Sequence, residues 1–266
     1  MTLQSILVVG CGNMAGAMLE GWLASGLSAE LFTIVDPVRE AGPCGLPVQR
    51  ALPTDGRFDA ILLGVKPQLL DAIVPGVSAL AGPQTAILSL LAGVELSSIA
   101  ARFPDAGGYV RVMPNLAVSL GKAPIALAAI GLDEAGCEAC FALMQRLGTP
   151  HWIGEDKFDL VTALAGSGPA FVYRFIDALG TASIRLGLAE EQARELALAM
   201  VEGAAALAAQ SPHNPGKLAE MVASKGGVTR EGLDVLDENE ALIRLITETL
   251  RAARDRSAEM AREARD

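Results

Sequence analysis

A run of branched aliphatic residues that breaks on glycine is the first chemistry-bearing feature of the sequence: ILVVGCGNMAGAM, Ile6 to Met18. Gly10, Gly12 and Ala15 have the G-x-G-x-x-A spacing. They follow a predicted strand and open a predicted helix, the setting in which that spacing binds dinucleotides. Gly10 permits the tight turn, Gly12 lets main chain approach a pyrophosphate, and Ala15 keeps the helix near the sheet. The helix start, with the N–H groups of Asn13, Met14 and Ala15, offers an anion the positive end of the dipole. The plainer alternative is a glycine turn that binds nothing.

Further polar residues stand where strands are expected to end. Asp36 lies twenty residues after Gly16, at the end of the second expected strand, where an acidic side chain accepts hydrogen bonds from an adenosine ribose. That favours NADH. Arg39, three residues on, instead suits a 2′-phosphate, so both NADPH and NADH stay open. Lys66 in LLGVKPQ ends a buried strand and either contacts the cofactor or lays its stem over apolar surface. In RVMPN, Arg111 is an ion-pair former or an anion contact, since an unpaired core arginine is rare. Asn115 is placed to meet ribose or nicotinamide through its amide. Only two histidines occur, His151 and His213, and neither has a partner arrangement for general-base work. Gly166-Ser167-Gly168 lacks the spacing of a nucleophile elbow.

These residues need a scaffold. From residue 5 to about 153, β-rich runs alternate with helical segments, the signature of a mostly parallel sheet with crossover helices. Strands are expected at 6–9, 31–35, 60–65, 86–90, 109–112, 125–129 and 151–153, with helices at 13–25 and 133–147. Beyond Gly154 no strand signal survives. Helices are expected at 157–186 with a break at GSGP, then 189–210, 215–224 and 229 to about 262. Asn214 is the expected cap of the third, with Pro215 at its first position. The fold class is therefore α/β, a Rossmann-type doubly wound sheet over 1–154, followed by an all-α domain over 155–266. LALAMVEGAAALAA carries small apolar residues on several faces, which points to a partner subunit.

Bulk properties limit the function. A formal net charge of −10 argues against nucleic acid, and prolines and glycines break the longest uncharged run, Ala72 to Val94, so no membrane span is expected. With no basic leader before ILVVG, a cytoplasmic location is expected. Four cysteines without framework spacing read as ordinary helix and loop residues, and no metal site is expected.

Taken in order, GCGNMA, VKPQ, LLAG, RVMPN, ALAGSGPAF and SKGGVTREGL resemble the pyrroline-5-carboxylate reductase family, and the resemblance covers essentially the whole chain. It implies a Rossmann domain followed by a helical dimerisation domain, a homodimer extending to an assembly of dimers, and an active site at the dimer interface. It implies reduction of 1-pyrroline-5-carboxylate to L-proline by hydride from NADPH or NADH. Cofactor contacts would then include Val65, Lys66 and Pro67 of VKPQ and Ala92 of LLAG. Ser224 and the N–H groups of Gly227, Val228 and Thr229 would hold the substrate carboxylate, and the Thr229 hydroxyl would serve the ring nitrogen as the catalytic contact. A glycine-rich turn opening a helix is physically suited to an anion. A plain turn with Thr229 as helix cap is the alternative.

The sequence departs from the family pattern at Lys225 and Val228 within the turn. It departs also at Asp36-Pro37, where the family commonly has Asn-Arg, and this puts NADPH preference in question. Other readings are a β-hydroxyacid dehydrogenase or another imine reductase, or a non-catalytic nicotinamide-binding regulator. The first expects a catalytic lysine and paired asparagines, which GSGPAFVYRF lacks.

Overall fold

The computed structural model describes residues 3–263. Short, largely apolar and buried strands alternate their side chains between the two faces of one sheet. Ile6 and Val8 of β1 (Ile6–Val9) enter one hydrophobic cluster, and Leu7 and Val9 enter the other. The further strands are β2 (Phe32–Val35), β3 (Val48–Gln49), β4 (Ala60–Leu63), β5 (Ala86–Ser89), β6 (Gly108–Met113), β7 (Ala123–Ile130) and β8 (Gly148–Trp152). Their order is β3-β2-β1-β4-β5-β6-β7-β8. All neighbours are parallel except β6 and β7. The order of the first six is that of a dinucleotide-binding sheet, with its switch point beside β1.

Helices α1 (Asn13–Ala24), α2 (Leu70–Leu80), α3 (Leu96–Arg102) and α4 (Glu134–Gln145) belong to this unit. On α1 the buried Trp22 stacks on Phe32 at 5.4 Å, and its indole N–H donates to the Leu143 carbonyl at 2.9 Å. A large apolar side chain is thus buried without orphaning its one donor. Asp133 caps α4 by accepting from the Gly136 N–H at 2.7 Å.

The described chain forms two compact units. The first runs to Ser167 and includes the chain from Ala253 onward, and the second is Gly168–Ala252. This division falls later than the expected one at 154/155. The short helix α5 (Phe158–Val161) and the π-turn Thr162–Gly166 belong with the sheet, and Phe158 lies in one of its core clusters. The second unit contains α6 (Gly168–Arg185), α7 (Glu190–Gln210), α8 (Pro215–Val222) and α9 (Val228–Asp237), and the first part of α10 (Ala241–Glu263). Gly180 of α6 is buried against Ala193 and Arg194 of α7, where a Cβ would just reach van der Waals contact at 3.7 Å. Asn214 caps α8, accepting from the Lys217 N–H at 2.8 Å, with Pro215 first in the helix.

Two further features differ from the sequence reading. Strand β3 went unseen because two residues carry no periodicity. The single helix expected from 229 to about 262 is broken at Glu238–Glu240, where Asn239 and Glu240 have φ of 51° and 56°. No glycine or proline marks that break. Among the described residues, no helix is long and apolar enough to cross a membrane.

Candidate functional site

At the end of β1 the chain reverses at Gly10, whose φ is +87°. A side chain there would strike the Val65 N–H and the Gly64 carbonyl carbon within 2.9 Å, so only glycine lets β1 and β4 stay this close. Gly12 caps α1 in extended conformation without a side-chain partner. A Cβ on it would meet nothing nearer than the Gly64 carbonyl oxygen at 4.0 Å, so an anion has room to approach. Behind it the N–H groups of Asn13, Met14 and Ala15 have no intrahelical acceptor. The cradle fits a dinucleotide pyrophosphate: open donors, a helix dipole and no Cβ in the way.

Asp36 stands beside this loop and is tied to it. One carboxylate oxygen accepts from the Cys11 N–H at 2.8 Å, and the other from the N–H groups of Val38 and Arg39 at 2.9 and 3.0 Å. Partial burial pushes this carboxyl up, but the three N–H groups and the Arg39 charge outweigh it and hold it below the ordinary value. The Arg39 guanidinium lies over Gly16, 3.8 Å from where a side chain there would begin. It forms no ion pair among the described residues.

Val65, Lys66 and Pro67 follow β4 after Gly64, with Lys66 exposed and without an ion-pair partner among the described residues. Pro67 and Ala92 share a cleft of about 430 Å³ with Gln68, Val94, Arg102 and Met260. Arg102 and Met260 were missed by the sequence reading, for nothing in their local pattern marks them as neighbours of Pro67.

Arg111, on β6, is an ion-pair former. Only 5% of its side chain is exposed, it meets Glu155 at 3.1 Å, and it stacks on the Phe158 ring at 4.2 Å. The same Glu155 oxygen accepts from the Leu96 N–H at the start of α3. The one available clue to Glu155 was that a buried arginine demands an acid. Asn115 is buried, with its amide donating to the Ala165 carbonyl at 2.8 Å and its oxygen accepting from the Ala117 N–H at 2.9 Å. Instead of facing outward as an open amide, it anchors the π-turn at Ala165, and such turns recur at functional sites.

In the second unit, the segment from Ser224 to Thr229 joins α8 to α9. Gly226 has φ of +71°, and the Gly227 N–H closes the turn on the Ser224 carbonyl at 3.0 Å. This corrects the expected donor set. The Gly227 N–H is spent within the turn, and a side chain at this position would only require the Ser224 hydroxyl to rotate away. The Val228 and Thr229 N–H groups, first in α9, have no acceptor within the helix. Thr229 does not cap the helix: Gly227 does, and no side chain caps this terminus. The Thr229 and Ser224 hydroxyls make no hydrogen bonds among the described residues. Arg230 pairs with Glu220 of α8, which pins the two ends of the turn together and raises the Arg230 pKa.

Burial pushes the Cys140 thiol up to about 12, which makes it inert. Among the described residues, no three His, Cys, Asp or Glu are grouped to hold a metal.

The chain is similar to known proteins over nearly its full length. A family model for pyrroline-5-carboxylate reductase dimerisation matches residues 155–260. The chain is 31% identical over 272 residues to a pyrroline-5-carboxylate reductase of Pasteurella multocida, covering 98% of each. It is 35% identical over 237 residues to that of Aquifex aeolicus, covering 87% of this chain and 88% of that one. Among solved structures, the Coxiella burnetii pyrroline-5-carboxylate reductase superposes with a TM-score of 0.88 at 27% identity, over 98% of this chain and 99% of that one. The fold is shared too with the NADP-bound enzyme of Plasmodium falciparum, with a TM-score of 0.81 at 22% identity, over 98% and 99% of the two chains.

Proposed function

The chain belongs to the pyrroline-5-carboxylate reductase family, and from that premise we propose that it reduces 1-pyrroline-5-carboxylate to L-proline with hydride from NADPH or NADH. The first unit binds the nicotinamide dinucleotide and the Ser224–Thr229 turn of the second binds the substrate. The observation that carries this reading is the turn itself, which presents two open N–H groups and two unengaged hydroxyls at a helix start.

The bound nicotinamide supplies the hydride. The chain's own task is to bind and orient. Gly10, Gly12 and the start of α1 receive the pyrophosphate, Asp36 and Arg39 address the adenosine end, and Val65, Lys66, Pro67 and Ala92 border it. The Val228 and Thr229 N–H groups, with the Ser224 hydroxyl, take the substrate carboxylate. The Thr229 hydroxyl bonds the ring nitrogen. A cyclic imine protonated at nitrogen needs no further proton when hydride reaches its carbon, which fits a site without a histidine. Holding the two reactants in orientation then lowers the barrier by several kcal/mol, on the order of 7–11 in favourable cases.

The chain assembles as a dimer through its helical region. We further propose that these dimers associate into a higher assembly. The function is tested by adding substrate and either nicotinamide to purified protein. Reduced nicotinamide should be consumed, and failure to oxidise both cofactors would overturn the proposal.

A further inference from the structure

The turn between α8 and α9 carries a charge that its shape does not require. The Gly227 N–H bonds to the Ser224 carbonyl at 3.0 Å, Gly226 has φ of +71°, and Lys225 keeps a negative φ. Ser224–Gly227 is therefore a type II turn with Lys225 at its second position. Proline suits that position, and the Lys225 N–H makes no hydrogen bond among the described residues. The turn would form as well without a lysine.

The other charges around the turn are paired or negative. Arg230 pairs with Glu220 and lies 3.8 Å from Asp234. Glu231, in the first turn of α9, offsets the positive end of that helix. The chain as a whole has a net charge of −10. A carboxylate approaching the Val228 and Thr229 N–H groups thus meets more acids than cations. Lys225 alone among these groups is a cation without an ion-pair partner among the described residues, and it is exposed. Its four-carbon stem lets the ammonium swing over neighbouring main chain. The reversal folds Ser224 against Gly227, the residue that leads into the two open N–H groups.

Resting on the family reading above, we propose that Lys225 is a further substrate-binding residue: its ammonium joins the Ser224 hydroxyl and the Val228 and Thr229 N–H groups in holding the substrate carboxylate, and it favours anionic cyclic imines over uncharged ones. It acts by charge, from an exposed position. Salt screens such an interaction, so ionic strength separates charge from shape.

The test compares the unaltered protein with Lys225→Met, Lys225→Pro and Lys225→Arg at about 0.01 M and about 1 M salt, where charges are felt over about 30 Å and about 3 Å. At low salt the methionine and proline variants should each raise KM for 1-pyrroline-5-carboxylate about two- to fivefold, the scale of one exposed ion pair. kcat and the KM for reduced nicotinamide should not move, and the arginine variant should restore the substrate KM. At high salt all four proteins should converge. In ligand-observed NMR titrations, cyclopentanecarboxylate should bind more weakly to Lys225→Met by a similar factor, and its uncharged amide should bind both proteins equally. An unchanged substrate KM at low salt in both neutral variants would overturn the proposal and leave Lys225 a solvated surface charge. A change that persists at high salt, or that extends to the amide, would overturn it in favour of an effect on the shape of the turn. Absence of turnover by the unaltered protein would overturn the reductase reading instead, and the NMR titration would still decide whether Lys225 attracts a carboxylate.

Discussion

Thr229 is the second residue of α9, beside the Gly227 cap, with its hydroxyl uncommitted. Replacing it with alanine removes that hydroxyl and leaves the two open N–H groups in place. Thr229→Ala is expected to lower kcat by roughly ten- to a hundredfold, the loss of a hydrogen bond to a charged partner, with nicotinamide affinity unchanged in a fluorescence titration and with Thr229→Ser restoring much of the rate. Unchanged turnover in Thr229→Ala would remove the residue from the reaction. Asp36 gives a second expectation. Its folded pKa lies below its ordinary value, so the stability it confers is present above the unfolded value near ~3.9 and is lost as pH falls through the folded one. The difference in Tm between the native chain and Asp36→Ala should therefore be flat from about pH 5 to 8 and shrink below about pH 4. A difference that changes across neutral pH would contradict the assignment. At this scale the glycine fingerprint was legible because only glycine tolerates the φ of Gly10. The commitment of the Gly227 N–H to Ser224 was not, since a sequence does not say which of several adjacent N–H groups a turn consumes.

Between residues and whole units, one carboxylate links three elements. Glu155 neutralises Arg111 of β6 and caps α3 through the Leu96 N–H, and Phe158 of α5 covers the guanidinium. Glu155→Gln leaves a buried cation without its counter-charge, and a loss of roughly 3 kcal/mol in unfolding free energy is expected by urea titration. A loss below about 1 kcal/mol would mean that water already screens the pair. The strands β1, β2, β4 and β5 were readable because apolar runs of this length, bounded by turn residues, have few alternatives. Strand β3 exists only through its pairing of Val48 with Ile34 and Gln49 with Val35, a tertiary fact. The break at Asn239 also follows from no breaker residue, although asparagine is one of the few side chains at ease there. Sequence composition put the boundary at 154/155, whereas packing carries α5 and the π-turn over to the sheet.

For the whole molecule, the decisive feature is the apolar surface of the second unit. In a single chain Leu196, Leu207, Ile243 and Leu245 are each at least 60% exposed, apolar surface of the kind that protein interaction sites use. The dimerisation match over residues 155–260 accounts for it. Ile243→Asp should shift the protein toward monomer in light scattering and lower its Tm, and an unaltered dimer would place the interface elsewhere. The measurement closest to the central claim follows the hydride itself. Reduced nicotinamide carrying deuterium at its transferable position is incubated with the protein and 1-pyrroline-5-carboxylate, and the product is examined by mass spectrometry and NMR. The expected result is L-proline with one deuterium on the ring carbon beside nitrogen that does not bear the carboxylate, formed one for one with oxidised nicotinamide. Nicotinamide binding without labelled proline would contradict the account.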